Sequence, residues 1–192
     1  RADAAGIAWG APAVGPSALA EQVVRTMLGC EPVIDGHPRF DARPLTLSPS
    51  VWAEMVRVSE ALGAAFDALA AYVWENPEIL DTFYGYPPAH QRMWLSSGGW
   101  WHGFSRLDPF WCGEQGWQVC ERNADTPSGQ SDIVACSRVF AGRHPGLEDV
   151  NAAYLDRLWE LIDAWFRRHT GRDAPPATAG IVYPTELPED IL

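Results

Sequence analysis

The sequence predicts an α+β protein in which long amphipathic helices pack on a small antiparallel sheet. Three observations predict this class: two long segments with apolar residues at every third or fourth position, two strand-like segments joined by a glycine-bounded turn, and an apolar stretch near the end that is typical of a short strand. The 192 residues are 47% hydrophobic and 20% charged, which is a globular composition. Since no apolar run approaches the roughly 20 residues that cross a bilayer, we expect no membrane partner.

The first part of the chain predicts an arm followed by a long helix. Residues 1–44 are rich in Ala, Gly and Pro, so we expect an extended arm with one short helix at 18–29. Ser48 and Pro49 form a helix-start signal, and Asn-Pro after Glu75 predicts the end of that helix. Its apolar stripe is predicted core and consists of Trp52, Met55, Val56, Leu62, Phe66, Leu69 and Val73.

The later part predicts turns, a second long helix and the start of another unit. Residues 81–91 read as turns, and a helix is predicted over 147–169, with Gly171 as its stop. Residues 45–174 are therefore expected to form one α+β domain, and 175–192 to begin a further α/β unit that is truncated here. The predicted buried stripe of the second helix is Tyr154, Leu158, Leu161, Ile162 and Trp165.

The charge of the chain indicates which partners it can bind, and its cysteines indicate the compartment in which it occurs. The chain has 25 acidic and 14 basic residues, a net charge of -11, and all the basic residues are arginine. Such a field repels nucleic acid and favours metal cations and amines. The four cysteines form no C-x-x-C pair, so we expect reduced thiols in a cytoplasmic protein.

Residues 104–123 contain the main candidate site residues and are predicted to form a β-hairpin. The segments 104–112 and 117–123 are strand-like, and 113–116 is a suitable hairpin loop. With Cys112 opposite Trp117, a regular ladder follows, and side chains alternate between its two faces.

In that ladder Asp108 lies across from Glu121, and Arg106 across from Asn123, all on one face. Facing carboxylates repel unless positive charge lies between them, and two carboxylates with an amide oxygen are ligands that Mg²⁺ takes. A solvated charged face and a carboxylate pair for acid–base work remain alternatives. Pro109 cannot donate to a ladder and indicates an edge strand or a bulge, which would shift partners by one residue.

A turn with two hydroxyls, Thr126 and Ser128, precedes a helix predicted over 130–141. Hydroxyls and free amides at a helix start can hold a carboxylate or a phosphate, although a plain helix cap is the alternative.

The motif residues of the hairpin and of the turn after it resemble those of a known family. Arg106-Leu-Asp108 and Glu121-Arg-Asn123-Ala-Asp-Thr-Pro-Ser-Gly129 resemble the R-x-D and E-x-N-x-D-T-P-S-G region of the circularly permuted ATP-grasp ligases, the glutathionylspermidine synthase-like group. The resemblance is specific over 104–131. It implies an ATP-dependent ligase that activates a carboxylate as an acyl phosphate and joins it to an amine, with 175–192 opening a Rossmann-like pre-ATP-grasp unit.

The resemblance also implies roles for single residues. Asp108, Glu121 and Asn123 would bind Mg²⁺ with ATP, and Arg106 would stabilise charge on the transferring phosphoryl group, contact the nucleotide and contact the acyl substrate. The implied substrate-binding residues are Arg106, Thr126, Ser128, Glu189 and Asp190.

The chain departs from this family in having no lysine and no glycine-rich lid for the nucleotide. We therefore expect it to be inactive alone and to need the remainder of a longer ligase chain as a partner. The alternative function is a non-catalytic module that binds a polyamine, a peptide or a sugar on an acidic face rich in tryptophan, including Trp100 and Trp101. A hydrolase that uses Asp108 and Glu121 as a carboxylate pair is the third hypothesis.

Overall fold

A computed structural model describes residues 6–11, 15, 18, 21, 33–35, 37–38, 43–101, 103–124, 127–140, 143–175, 178 and 180. Its helices and its three two-stranded antiparallel sheets confirm the α+β class. The chain forms two compact units, a hairpin unit of 48–126 and a second unit of 1–47 with 127–192. Their boundary falls inside the segment 45–174 for which the sequence predicts one domain. None of the helices described in these ranges is long and apolar enough to span a membrane.

The hairpin unit begins with the long helix that the sequence predicts. Helix α1 is Pro49–Glu75, and the Val51 N–H donates to the Ser48 Oγ at 3.4 Å, which caps its start. The backbone N–H of Asn76 donates to the carbonyls of the last turn and ends the helix. Proline in the first turn suits such a start, because its missing N–H would have no partner there.

Two short helices follow where the sequence predicts only turns. Helix α2 is Ile79–Thr82 and helix α3 is Pro88–Ser96, so the turn prediction for 81–91 is wrong at both ends. Pro88 again occupies the first helical turn, and the apolar residues after it are too few to give a clear helical period. Leu80, in α2, is fully buried.

The hairpin of the same unit consists of strand β5, Arg106–Trp111, and strand β6, Trp117–Asn123. A 3-10 turn at Gly113–Gln115 lies in the loop between them. The ribbon packs on α1 and covers only part of that 27-residue helix. Of the predicted core stripe, Val73 is buried at 2% exposure, whereas Phe66 at 41% and Leu69 at 45% are exposed, so the core prediction is wrong for these two. The other members of the stripe are half-buried: Trp52, Met55, Val56 and Leu62.

The second unit contains the other described elements. Strand β1, Ile7–Trp9, pairs with strand β4, Leu45–Leu47, so this part of the predicted arm is a paired strand. The arm prediction misses it because three residues are too few to show a strand period. Strand β2, Val33–Ile34, pairs antiparallel with strand β3, His37–Pro38. Most of the predicted helix 18–29 lies outside the described residues.

Two helices end this unit. Helix α4 is Gln130–Phe140, close to its prediction. Helix α5 is Tyr154–Thr170, and Gly171 ends it at a φ of 66°, as the sequence predicts. The start is later than the predicted 147, because turns occupy the preceding residues and the Asn151 N–H donates to the Asp149 Oδ1 at 2.9 Å. No residue of its predicted stripe is fully buried. The strand predicted near the end lies outside the described residues.

Candidate functional site

The hairpin pairs its strands in two different registers. At its open end, Arg106 lies across from Asn123 and Asp108 across from Glu121, which confirms the predicted pairs. Nearer the turn, Trp117 pairs with Trp111 and not with Cys112, so that prediction is wrong. We call Arg106–Asp108 with Glu121–Asn123 the open half, and Pro109–Trp111 with Trp117–Val119 the turn half.

A β-bulge separates the two halves. The register shifts between Asp108 and Pro109, and Cys120 is the residue of β6 left without a partner. Pro109 has no N–H to give to the ladder, so an extra residue opposite it costs little pairing. The loop between the strands is one residue longer than predicted, which shifts the pairing near the turn by one position. The extra residue Cys120 at the bulge shifts the pairing back, so Asp108 still lies across from Glu121 as predicted.

The bulge also determines which side chains of β6 face α1 and which face away from it. The Trp117 Nε1–H donates to the Val51 carbonyl of α1 at 3.4 Å, and the Arg122 Nη1–H donates to the Leu62 carbonyl of α1 at 3.4 Å. Trp117 and Arg122 are an odd number of positions apart and would face opposite ways in a regular strand. With the bulge between them, both face α1, and Glu121 faces away.

Four polar side chains meet on the face away from α1: Arg106, Asp108, Glu121 and Asn123, which we call the polar cluster. The Arg106 Nε–H donates to the Asp108 Oδ1 at 2.9 Å, and its Nη2–H donates to Oδ2 at 3.4 Å. The Asn123 Nδ2–H donates to the Glu121 Oε1 at 3.1 Å and to the Asp108 Oδ2 at 3.5 Å. Both carboxylates therefore lie within reach of one amide group.

The surroundings of Asp108 favour the charged form of its carboxyl group. The hydrogen bond from Arg106 holds the pKa of the Asp108 carboxyl below its ordinary value, and desolvation opposes that effect. The charge of Arg106 and the side-chain hydrogen bonds with Glu121 and Asn123 lower this pKa further. An ionised carboxylate is what a cation site needs.

The donor chemistry of the polar cluster fits a hard divalent cation. Asp108 and Glu121 offer carboxylate oxygens, and Asn123 offers an amide oxygen once its terminal amide turns over. Mg²⁺ commonly takes one or two carboxylates and fills its other positions with water and phosphate. Within the described ranges, no group of three or more His, Cys, Asp or Glu side chains is placed to hold a metal ion. The polar cluster has two carboxylates, so a third protein ligand would have to be the amide of Asn123.

The other predicted site residues are Thr126, Ser128, Glu189 and Asp190. Ser128 is exposed on the segment before α4 and belongs to the second unit. Thr126, Glu189 and Asp190 lie outside the described residues.

Sequence reasoning missed Arg122. Its guanidinium lies 4.5 Å from the ring centre of Phe66 and 4.2 Å from that of Trp101, and its Nε–H donates to the Ser105 Oγ at 2.9 Å. Trp101 is thus a stacking surface for an arginine of the chain itself. The only signal in the sequence was a basic residue between two predicted cluster residues.

Comparison of the chain with protein-family models, with curated proteins and with solved structures finds no significant match in any of the three. The family resemblance therefore depends on the motif residues of 104–131 alone.

Proposed function

We propose that the polar cluster binds Mg²⁺ together with the phosphates of ATP, and that the chain is part of a ligase that joins a carboxylate to an amine through an acyl phosphate. The observation that carries this proposal is the convergence of Asp108, Glu121 and Asn123, with nitrogen–oxygen distances of 3.1 and 3.5 Å, on one face of the hairpin. The order of these residues in the motif supports the same reading.

Asp108, Glu121 and Asn123 would hold the cation, which when bound supplies positive charge against the phosphate oxygens. Arg106 adds a permanent positive charge beside them, and its planar guanidinium matches the geometry of phosphate and carboxylate oxygens. Phosphoryl transfer is catalysed mainly by positioning and by positive charge, so these four side chains offer the appropriate chemistry. Because the chain contains no lysine, we expect no ATP turnover from these 192 residues alone.

A second candidate function, a non-catalytic binding module, is favoured by a different observation. Between α2 and α3, Tyr84 and Tyr86 stack with ring centres 5.4 Å apart, and Phe83 beside them is 79% exposed. Exposed, ordered aromatic rings are typical of surfaces that bind peptides or sugars. Such binding would persist in a chelator and would survive changes in the polar cluster.

The experiment is a titration with Mn²⁺ as the probe, in which electron paramagnetic resonance measures the free ion with and without ATP. The variants are Asp108→Asn and Glu121→Gln, and the matched control is Glu114→Gln, which removes an exposed carboxylate from the hairpin loop. We expect wild type and control to bind alike, and both cluster variants to lose about tenfold or more in affinity. Equal affinities in all four proteins, or no binding by wild type, would contradict the proposal.

A further inference from the structure

Arg122 contacts the rest of the hairpin unit through two aromatic rings and two hydrogen bonds. Its guanidinium is placed over the rings of Phe66 and Trp101 at 4.5 and 4.2 Å. It donates to the Leu62 carbonyl and to the Ser105 hydroxyl at 3.4 and 2.9 Å. The side chain is partly shielded from solvent, and this burial lowers the pKa of the guanidinium, while the charge of Asp67 opposes that effect. The side chain is therefore half-buried and fixed by several partners.

The aromatic partners of Arg122 are themselves held in place. The Trp101 Nε1–H donates to the Asp67 Oδ1, and Phe66 and Asp67 are neighbours on α1. The ring centres of Phe66 and Trp101 are 6.3 Å apart. Phe66 of α1 and Trp101, which precedes β5, thus offer two ring faces to the planar guanidinium of Arg122.

Arg122 lies between Glu121 and Asn123 on β6, one position from each. A residue in a strand and its two neighbours point to opposite faces. When Arg122 is seated on α1, Glu121 and Asn123 must point away from the helix, toward Asp108. The bulge at Cys120 lies just before this point, so the regular alternation that places Trp117 on α1 does not continue to Arg122.

We propose that Arg122 is a positioning residue that holds the open half of the hairpin on α1 and thereby sets the placement of Glu121 and Asn123 in the polar cluster. Lysine cannot replace it, because lysine lacks the planar fork that stacks between two rings and donates to two oxygens at once. The Mn²⁺ measurement in the test below rests on the proposed function. The pairing of the two strands is measured separately and does not depend on metal binding.

The experiment compares Arg122→Met and Arg122→Lys with the control Arg57→Met, which removes an exposed arginine of α1. Two quantities are measured on protein that circular dichroism shows to be folded: the affinity for Mn²⁺, and the cross-strand nuclear Overhauser effects that pair Arg106 with Asn123. We expect both Arg122 variants to lose these cross-strand signals and about tenfold in Mn²⁺ affinity, with no change in the control. Arg122→Lys keeps the charge and the aliphatic stem, so it carries the test even if Arg122→Met does not fold.

Folded Arg122 variants with wild-type cross-strand signals and wild-type Mn²⁺ affinity would overturn the positioning role, even if their unfolding temperature falls. If wild type itself binds no Mn²⁺, the proposed function fails, and the cross-strand signals alone decide the role of Arg122.

Discussion

The two halves of one hairpin use the same helix in different ways. In the turn half, the ring of Trp117 packs edge-on against that of Trp111, with ring centres 5.4 Å apart, and its Nε1–H donates to a carbonyl of α1. The contact of this half with the helix is therefore mainly apolar. In the open half, Arg122 stacks on two rings of the same unit, and polar side chains occupy the outer face. A single extra residue at the bulge allows one strand to do both, because it changes which face the following residues occupy.

The largest expected effect comes from inserting one glycine between Asp108 and Pro109, which gives Cys120 a partner. The bulge then disappears, and either the polar cluster turns toward α1 or Trp117 turns away from it. Turning charged groups toward the helix costs several kcal/mol, so we expect the free energy of unfolding to fall by about 3 kcal/mol or more. Urea denaturation measures this change.

Deletion of Cys120 is the matched control for that insertion. It removes the bulge from the other strand, so Asp108 still faces Glu121 and both halves keep their faces. We expect a change in the free energy of unfolding of about 1 kcal/mol or less and an intact Mn²⁺ affinity. A deletion as damaging as the insertion would contradict the account of the bulge.

A change within the turn half tests whether the halves are independent. Trp117→Ala removes a half-buried ring and its hydrogen bond to Val51, and we expect it to lower the free energy of unfolding by about 2 kcal/mol. Because Arg122 holds the open half, Mn²⁺ affinity of the folded variant should stay within about twofold of wild type. A large loss of affinity at low temperature would show that the turn half also positions the polar cluster.

A change within the open half sharpens the chemical side of the comparison. Asn123→Asp gives the polar cluster a third carboxylate, which strengthens the attraction for a divalent cation. We expect Mn²⁺ affinity to rise by about tenfold, whereas Asn123→Ala should lower it by a similar factor. If Asn123→Asp binds Mn²⁺ no better than Asn123→Ala, then this position contributes no ligand.

The smallest effect is chemical and leaves the fold unchanged. Cys112 in the loop and Cys120 at the bulge are exposed, whereas burial, with the charge of Asp132, raises the pKa of the Cys136 thiol to about 11. The thiolate is the reactive form, so at mildly alkaline pH iodoacetamide should label Cys112 and Cys120 well before Cys136. Mass spectrometry of the digested protein measures the order. Equal rates for all three would mean that Cys136 is not shielded as described.

Much of the fold followed from local signals in the sequence. Helix α1 was predicted to its first and last residue, because Ser48 and Asn76 act through nearby backbone groups. The pairs of the open half were predicted correctly, but through a regular register that the turn half does not have. The bulge could be anticipated at Pro109, although its compensation by a longer loop could not.

Arg122 could not be predicted in the same way. Its role depends on Phe66 and Trp101, which are distant in sequence and meet only when the ribbon lies on α1. The exposure of Leu69 has a similar origin, because helical periodicity shows which residues share a face but not how much of that face a narrow ribbon covers.

The most direct test of the central claim is to locate a bound Mn²⁺ by its broadening of backbone amide signals in the nuclear magnetic resonance spectrum. The account predicts that substoichiometric Mn²⁺ broadens the amides around Asp108, Glu121 and Asn123 first, and that a chelator reverses the effect. Broadening that begins instead at other acidic residues, such as Glu114, or that is spread evenly over the acidic surface, would contradict it.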